Sequence, residues 1–241
     1  MTDANLLERP LADIVTADSR TAVVFDRFGL DYCCHGHQTL ADAVATAGVA
    51  LDAVLHDIDR LGPVSQTDAV VEWTEMDDLS RFIVSRHHGF VREHAPVITA
   101  YLNKLVIRHG ARHPELTEVR AIFTSLAEEM DAHMMKEENI LFPFIELLAL
   151  NARKGGRLPD GPFGTVMNPV RMMEEDHREA GAHLETMRRL TNAYTPPSDG
   201  CTTYQLCYKE LAGFEADLHR HIHLENSILF PQALELERRL S

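Results

Sequence analysis

The chain has 241 residues, 45% of them hydrophobic, enough for one large domain or a domain with a small appendage around a sizeable core. Its 37 acidic and 23 basic residues leave a formal charge of −14, which argues against nucleic acid and anionic membranes as partners. No apolar run is long enough to span a membrane, and the N-terminal MTDANLLERPLADIV lacks a basic-then-apolar signal pattern, so a cytoplasmic protein is expected.

Short helical patterns broken by Gly and Pro fill the first stretch. Candidate helices cover about 9–15, 20–28 (closed by Gly29), 39–47 (closed by Gly48) and 51–61, which ends at Gly62-Pro63. Between the second and third lies DYCCHGHQTL. The segment PVSQTDAVVEW reads as linker. Four long amphipathic stretches follow, roughly 77–109, 115–150, 169–194 and 203–238. Pro169 suits a first helical turn with Asn168 as its N-cap. The Gly/Pro-rich loop near 151–168 either caps one end or is disordered. Pro96, Pro143 and Pro231 should kink or end their helices. Few runs alternate with period two, so the expected fold is all-α: an up-down four-helix bundle over 77–241, a linker over 63–76 and a small helical domain over 1–62.

HMMKEENILFP at 133–143 and HIHLENSILFP at 221–231 are nearly the same phrase, 88 positions apart. Residues four apart lie about 40° apart around a helix, so His133 and Glu137 share one face, as do His221 and Glu225. Both faces are otherwise apolar: Leu126, Met130, Ile140 and Phe144 on one, Phe214, Leu218 and Ile228 on the other. An ionised carboxylate buried without a partner costs several kcal/mol, and no Lys or Arg sits on either seam. A metal cation is the economical partner.

The third long stretch sets His177 among Val170, Met173, Ala180 and Leu184. In the first, His88 sits on the seam Val84, Val91, Ala95, Ile98, whereas His87 lies on the nearly as apolar stripe Ile83, Phe90, Val97. His88 to His133 is 45 residues and His177 to His221 is 44, and this match favours His88. Four His and two Glu from four helices form two equivalent sets. Two cations can share them, each with two imidazoles, the glutamates bridging. The donor set suits iron, with manganese or zinc behind it. A ferritin-like reading wants Glu-x-x-His on two helices, and only Glu174–His177 has that spacing, off the seam.

His219 and His223 fall on the other side of their helix and read as surface histidines. Glu129 and Asp217, each four residues before a ligand candidate, are placed either to accept the imidazole's other N–H or simply to be solvated. Cys201 and Cys207 fit no ligand spacing and read as structural; Met134-Met135 and Met172-Met173 read as core filler.

The two His–Glu phrases and DYCCHGHQTL together resemble the iron–sulfur cluster repair proteins, the repair-of-iron-centres family. These join a small ScdA-type N-terminal domain to a hemerythrin-like di-iron bundle. The resemblance spans nearly the whole chain and implies the ligand set His88, His133, Glu137, His177, His221 and Glu225. It also implies a cofactor of two non-haem irons, carboxylate- and oxo-bridged, and a role in restoring clusters damaged by oxidative or nitrosative stress, with iron donation as the mechanism consistent with open-sided irons. Partners would be damaged iron–sulfur proteins and small molecules such as nitric oxide, oxygen or peroxide, and a homodimer is among the assemblies open to it. A di-iron nitric oxide or peroxide reductase, or a hemerythrin-type oxygen or nitric oxide sensor, remains the alternative. One departure stands out: the family usually shows Cys-Cys-Gly-Gly where this chain has Cys33-Cys34-His35-Gly36-His37. Cys33 and Cys34, as thiol redox or metal-delivery groups, precede a helix starting near Thr39, whose dipole should make them reactive. His35 and His37 either extend a metal site or raise local charge at low pH.

Overall fold

The computed structural model describes residues 6–62 and 75–241, and among them no strand forms. The linker expected over 63–76 lies almost wholly outside the described residues. Two compact units emerge. One joins the N-terminal helices to His219–Pro231, and the other comprises Glu75–Leu218 and Gln232–Ser241.

The first unit contains α1 (Leu11–Ala17), α2 (Thr21–Phe28), α3 (Leu40–Ala47) and α4 (Leu51–Asp59). The expected stops hold. Gly29 and Gly48 close α2 and α3 at φ 66° and 65°, a conformation that costs glycine nothing. Thr39 caps α3 by accepting the Asp42 N–H. Leu11, Phe25, Tyr32, Leu40 and Val54 are fully buried. Arg20 ties the end of α4 to α2, donating to the carbonyls of Leu61 (3.1 Å) and Gly62 (3.0 Å) while bound to Asp18.

The CCHGH loop is pinned against α1. Leu11 N–H donates to Gln38 O and Ala12 N–H to Gly36 O, each at 2.9 Å, and Leu40 N–H donates to Arg9 O at 3.0 Å. Gly36 is packed so closely that a Cβ there would meet Tyr32 O at 2.3 Å and the Ala12 Cβ at 2.8 Å. Glycine is required at this point for want of space.

Helical rods make up the second unit, the last of them running through His219–Pro231 of the first. Helix α5 (Met76–Ile83) runs through a single π-helical turn, Val84–His88, into α6 (Gly89–His109). Helix α7 (Glu115–Lys136) runs through a second, Glu137–Leu141, into α8 (Phe142–Arg153). Helix α9 is Met167–Leu190, and the fourth rod is α10 (Thr202–Leu224), a third π-turn, Glu225–Leu229, and α11 (Phe230–Leu240). Helix α7 packs on α6 and α9, and α5 on α8. Phe123 of α7 meets Phe214 of α10 edge-on at 5.2 Å. Among the described residues no helix is long and apolar enough to cross a membrane.

The prolines do not simply end their helices. Pro96 sits inside α6 without ending it. Pro143 and Pro231 each come second after a π-turn. A proline lacks the N–H for the residue four back and crowds that carbonyl, and a widened turn just upstream accommodates both defects. The start of α9 also differs. It begins at Met167, so Asn168 is inside the helix and not its cap. Glu237 does the capping: its carboxylate accepts the Val166 N–H at 2.7 Å and the Thr165 hydroxyl at 2.6 Å. The 151–168 loop is packed, with Phe163 edge-on to Phe144 at 4.7 Å.

Gly36→Ala should destabilise the N-terminal unit by about 1–3 kcal/mol through overpacking. Hydrogen exchange should register the loss in α1 and α3 and spare α7. Unchanged protection there would contradict the contact.

Candidate metal centre

All six candidate ligands are buried: His88, Glu137, His177, His221 and Glu225 are 0% exposed and His133 is 1%. Three of them lie in the π-turns. His88 ends the first, Glu137 opens the second and Glu225 opens the third. π-turns inside α-helices recur at functional sites because they shift the register of the chain that follows.

The second unit brings four candidates together. Glu137 Oε2 lies 3.3 Å from His88 Nε2 and 3.3 Å from His133 Nε2, and the Nε2 atoms of His133 and His177 are 3.1 Å apart. Ligand atoms of His133, Glu137 and His177 all lie within 4.8 Å of one another. In the first unit, His221 Nε2 is 2.8 Å from Glu225 Oε1, one turn apart on the same rod.

The outer imidazole nitrogens explain why these inner ones converge. His88 Nδ1 faces Glu138 Oε1 at 2.7 Å, and Arg92 holds that carboxylate at 2.8 Å. His133 Nδ1 faces Asp176 Oδ2 at 3.1 Å, and Lys136 holds that carboxylate at 2.9 Å. The His133 hydrogen bond, followed by Lys136, outweighs burial and keeps the Asp176 carboxyl down to about 2. A carboxylate on Nδ1 selects the Nδ1–H tautomer, so each Nε2 turns a lone pair inward toward the Glu137 carboxylate. Converging lone pairs and a buried anion repel one another unless a cation sits among them. The donor set therefore fits a metal. A cavity of about 150 Å³ lined by Met130, His133, Lys136, Asp176 and Glu179 opens at the outer edge of His133.

His87 and His88 part company here. His87 Nδ1 bonds Asp217 at 3.0 Å, and His88 Nε2 faces Glu137 at 3.3 Å. Asp217 is therefore a buried partner of His87 and not a solvated acid. Glu129 accepts from Ser125 (2.6 Å) and bonds His183 (3.1 Å). The acids on His88 and His133, Glu138 and Asp176, come from other helices and carry no spacing signal. The aligned phrases hold one trace of it, since EEN has Glu138 where ENS has Asn226.

His219 and His223 are not surface residues. His223 is 4% exposed, near Thr16 (3.4 Å) and edge-on to Tyr32, and burial lowers its pKa to about 4. His219 Nδ1 bonds Asp26 at 3.0 Å. Period alone placed them on the outer side of their helix; α1, α2 and the loop after α2 cover that side.

Cys33 is buried and Cys34 half-buried, with sulfurs 3.7 Å apart. Asp31 Oδ1 accepts both backbone N–H groups, at 3.0 and 2.8 Å, and lies 3.2 Å from Cys33 Sγ. The expected activation by the helix dipole fails for Cys33. Burial, then Cys34 and Asp31, push its thiol well above the ordinary range. Asp31 itself is held low despite burial, by His219, His35 and the Cys34 N–H. Cys207 is buried and its pKa is raised to about 12, whereas Cys201, expected to be structural, is exposed beside His109 Nε2 at 3.3 Å.

These features define a helical protein with a buried histidine–carboxylate cation site, and residues 80–233 match the hemerythrin HHE cation-binding domain. Residues 7–62 match the ScdA N-terminal domain, a domain of unknown function. The iron–sulfur cluster repair protein ScdA of Staphylococcus haemolyticus is 32% identical, over 92% of this chain and 96% of its own. The iron–sulfur cluster repair protein YtfE of an Escherichia coli O81 strain is 33% identical, over 94% and 97%. The chain belongs to this ScdA and YtfE family of hemerythrin-type proteins.

Thiol labelling checks the cysteine environments. Burial raises the Cys207 thiol to about 12, so little of it is thiolate at pH 8. Iodoacetamide on the native, reduced protein should label Cys201 and spare Cys207 and Cys33, and in denaturant all should label. Cys207 reacting as fast as Cys201 would contradict its burial.

Proposed function

We propose that the chain is a cytoplasmic di-iron protein that takes part in repairing iron–sulfur clusters damaged by oxidative or nitrosative stress, donating iron to them. The observation that carries this reading is the buried carboxylate of Glu137 facing two imidazole Nε2 atoms at 3.3 Å, with carboxylates on their outer nitrogens. His88, His133, Glu137 and His177 would hold the metal from the bundle. His221 and Glu225 would complete the set, since their rod continues α10 and the matched cation-binding domain runs through both. In this reading residues 1–62 form the ScdA-type domain, 63–76 a linker and 77–241 the bundle. The relatives' names support the repair role.

The bound iron would supply redox chemistry and is itself the cargo. This chain's residues orient it. Glu138 and Asp176 fix the tautomers of His88 and His133, and Arg92 and Lys136 fix the acids. The half-buried Cys34 and its neighbour Cys33 act as the redox or delivery arm, with a damaged iron–sulfur protein as client.

Iron analysis of the purified protein should find two irons per chain, with an oxo-bridge charge-transfer band, and one zinc would sink the reading. Asp176→Asn should weaken metal affinity about 10–100-fold. The reduced protein should reactivate a cluster enzyme damaged by nitric oxide, and Glu137→Leu should not. Equal reactivation by both would exclude iron donation from this site. Steady turnover of nitric oxide or peroxide, lost in His133→Ala, would instead mark a reductase.

A further inference from the structure

We propose that Asp31, Cys33 and Cys34 form a second cation site, distinct from the histidine–glutamate set, that takes one thiophilic divalent cation such as zinc or ferrous iron. His35 is its positioning residue. The purpose of such a site rests on the delivery reading above, whereas its existence is tested by cation binding alone, so the two can fail separately.

The geometry carries the proposal. Ligand atoms of Asp31, Cys33 and Cys34 lie within 4.8 Å of one another. Two thiolates on one tetrahedral zinc, each bonded at about 2.3 Å, stand about 3.8 Å apart. The Cys33 and Cys34 sulfurs are 3.7 Å apart. A thiolate and a carboxylate oxygen on the same ion should be about 3.6 Å apart, and Cys33 Sγ to Asp31 Oδ1 is 3.2 Å. Adjacent cysteines make an awkward disulfide, since the bond needs about 2.05 Å with a near-perpendicular dihedral. They meet the bite of a cation with little movement.

The loop is held before any ion arrives. Asp31 Oδ1 accepts the Cys33 and Cys34 backbone N–H groups, and Asn226 Nδ2 donates to the Cys33 carbonyl at 3.3 Å. Gly36 is wedged against Tyr32 and Ala12. His35 Nδ1 bonds the other Asp31 oxygen at 2.7 Å, which aims the carboxylate at the sulfurs. A buried Cys33 thiolate needs a compensating charge, and a cation between the sulfurs supplies it. On binding, both thiol protons pass to solvent and the Cys33 S–H···O contact is replaced by coordination. Three protein donors leave a tetrahedral ion one open position. Cys34 and His35 are the more accessible side of the cluster, so a carrier's exchangeable site fits better than a closed structural one.

Cobalt(II) is the probe. The whole chain as purified, kept reduced with a phosphine, should take up cobalt with a sulfur-to-cobalt charge-transfer band in the near ultraviolet. The histidine–glutamate set has no sulfur and cannot give that band. Cys34→Ser should abolish it and Asp31→Asn should weaken binding at least tenfold, while Cys201→Ser leaves it unchanged. His35→Ala should lower affinity about tenfold, and His35→Gln, which keeps a donor for Asp31, should restore it. No band in the wild type overturns the proposal. A band that persists in Cys34→Ser and Asp31→Asn overturns it equally, because the sulfur would then lie elsewhere.

Discussion

A carboxylate with no exposed surface sets the terms for the bundle. Glu137 is wholly buried, and the Nε2 atoms of His88 and His133 face its carboxylate at 3.3 Å with lone pairs of their own. Burying an anion in such surroundings costs more than any one side-chain contact in the core returns. The surrounding organisation is legible as compensation. Glu137 opens a π-turn on the face it shares with His133. Glu138 and Asp176 set the tautomers of the histidines, and Arg92 and Lys136 pair with those acids on their outer side. Charge alternates outward from the centre: proposed metal, imidazole, carboxylate, basic side chain.

The same chemistry appears on the fourth rod with a different neighbour. His221 and Glu225 repeat His133 and Glu137, yet the residue after the glutamate changes from Glu138 to Asn226. Glu138 bonds His88, whereas Asn226 bonds the carbonyl of Cys33. One position of a duplicated phrase has thus been turned from holding an imidazole to holding the cysteine loop. The histidines on either side of His221 are used in the same way. His219 meets Asp26 and His223 packs on Thr16 and Tyr32, so the rod's middle is knitted to the N-terminal helices by residues interleaved with the ligand candidates.

Much of this was legible in the chain. The all-α fold, the glycine stops at Gly29 and Gly48, and the inward faces of His133, Glu137 and His177 follow from a single period and from backbone sterics, both local properties. What misled was also local. Asn168 looked like a cap because its neighbour is proline, but Glu237, some seventy residues on, does the capping. Glu129 and Asp217 looked like partners for imidazoles one turn away, and they bond His183 and His87. Helix-dipole reasoning made Cys33 reactive, whereas burial beside Asp31 pushes its thiol the other way.

By itself the sequence determined the helical rods, the paired His–Glu faces and the family, because these depend on residue type at fixed spacing along one chain. Only the tertiary structure decided which acid holds which imidazole, that His219 and His223 are covered, and that Asp31 gathers Cys33 and Cys34 into a cation-sized bite. A hydrogen bond between elements depends on how two helices are rotated and shifted against each other. That register is set by packing over many side chains, and no spacing within either helix encodes it.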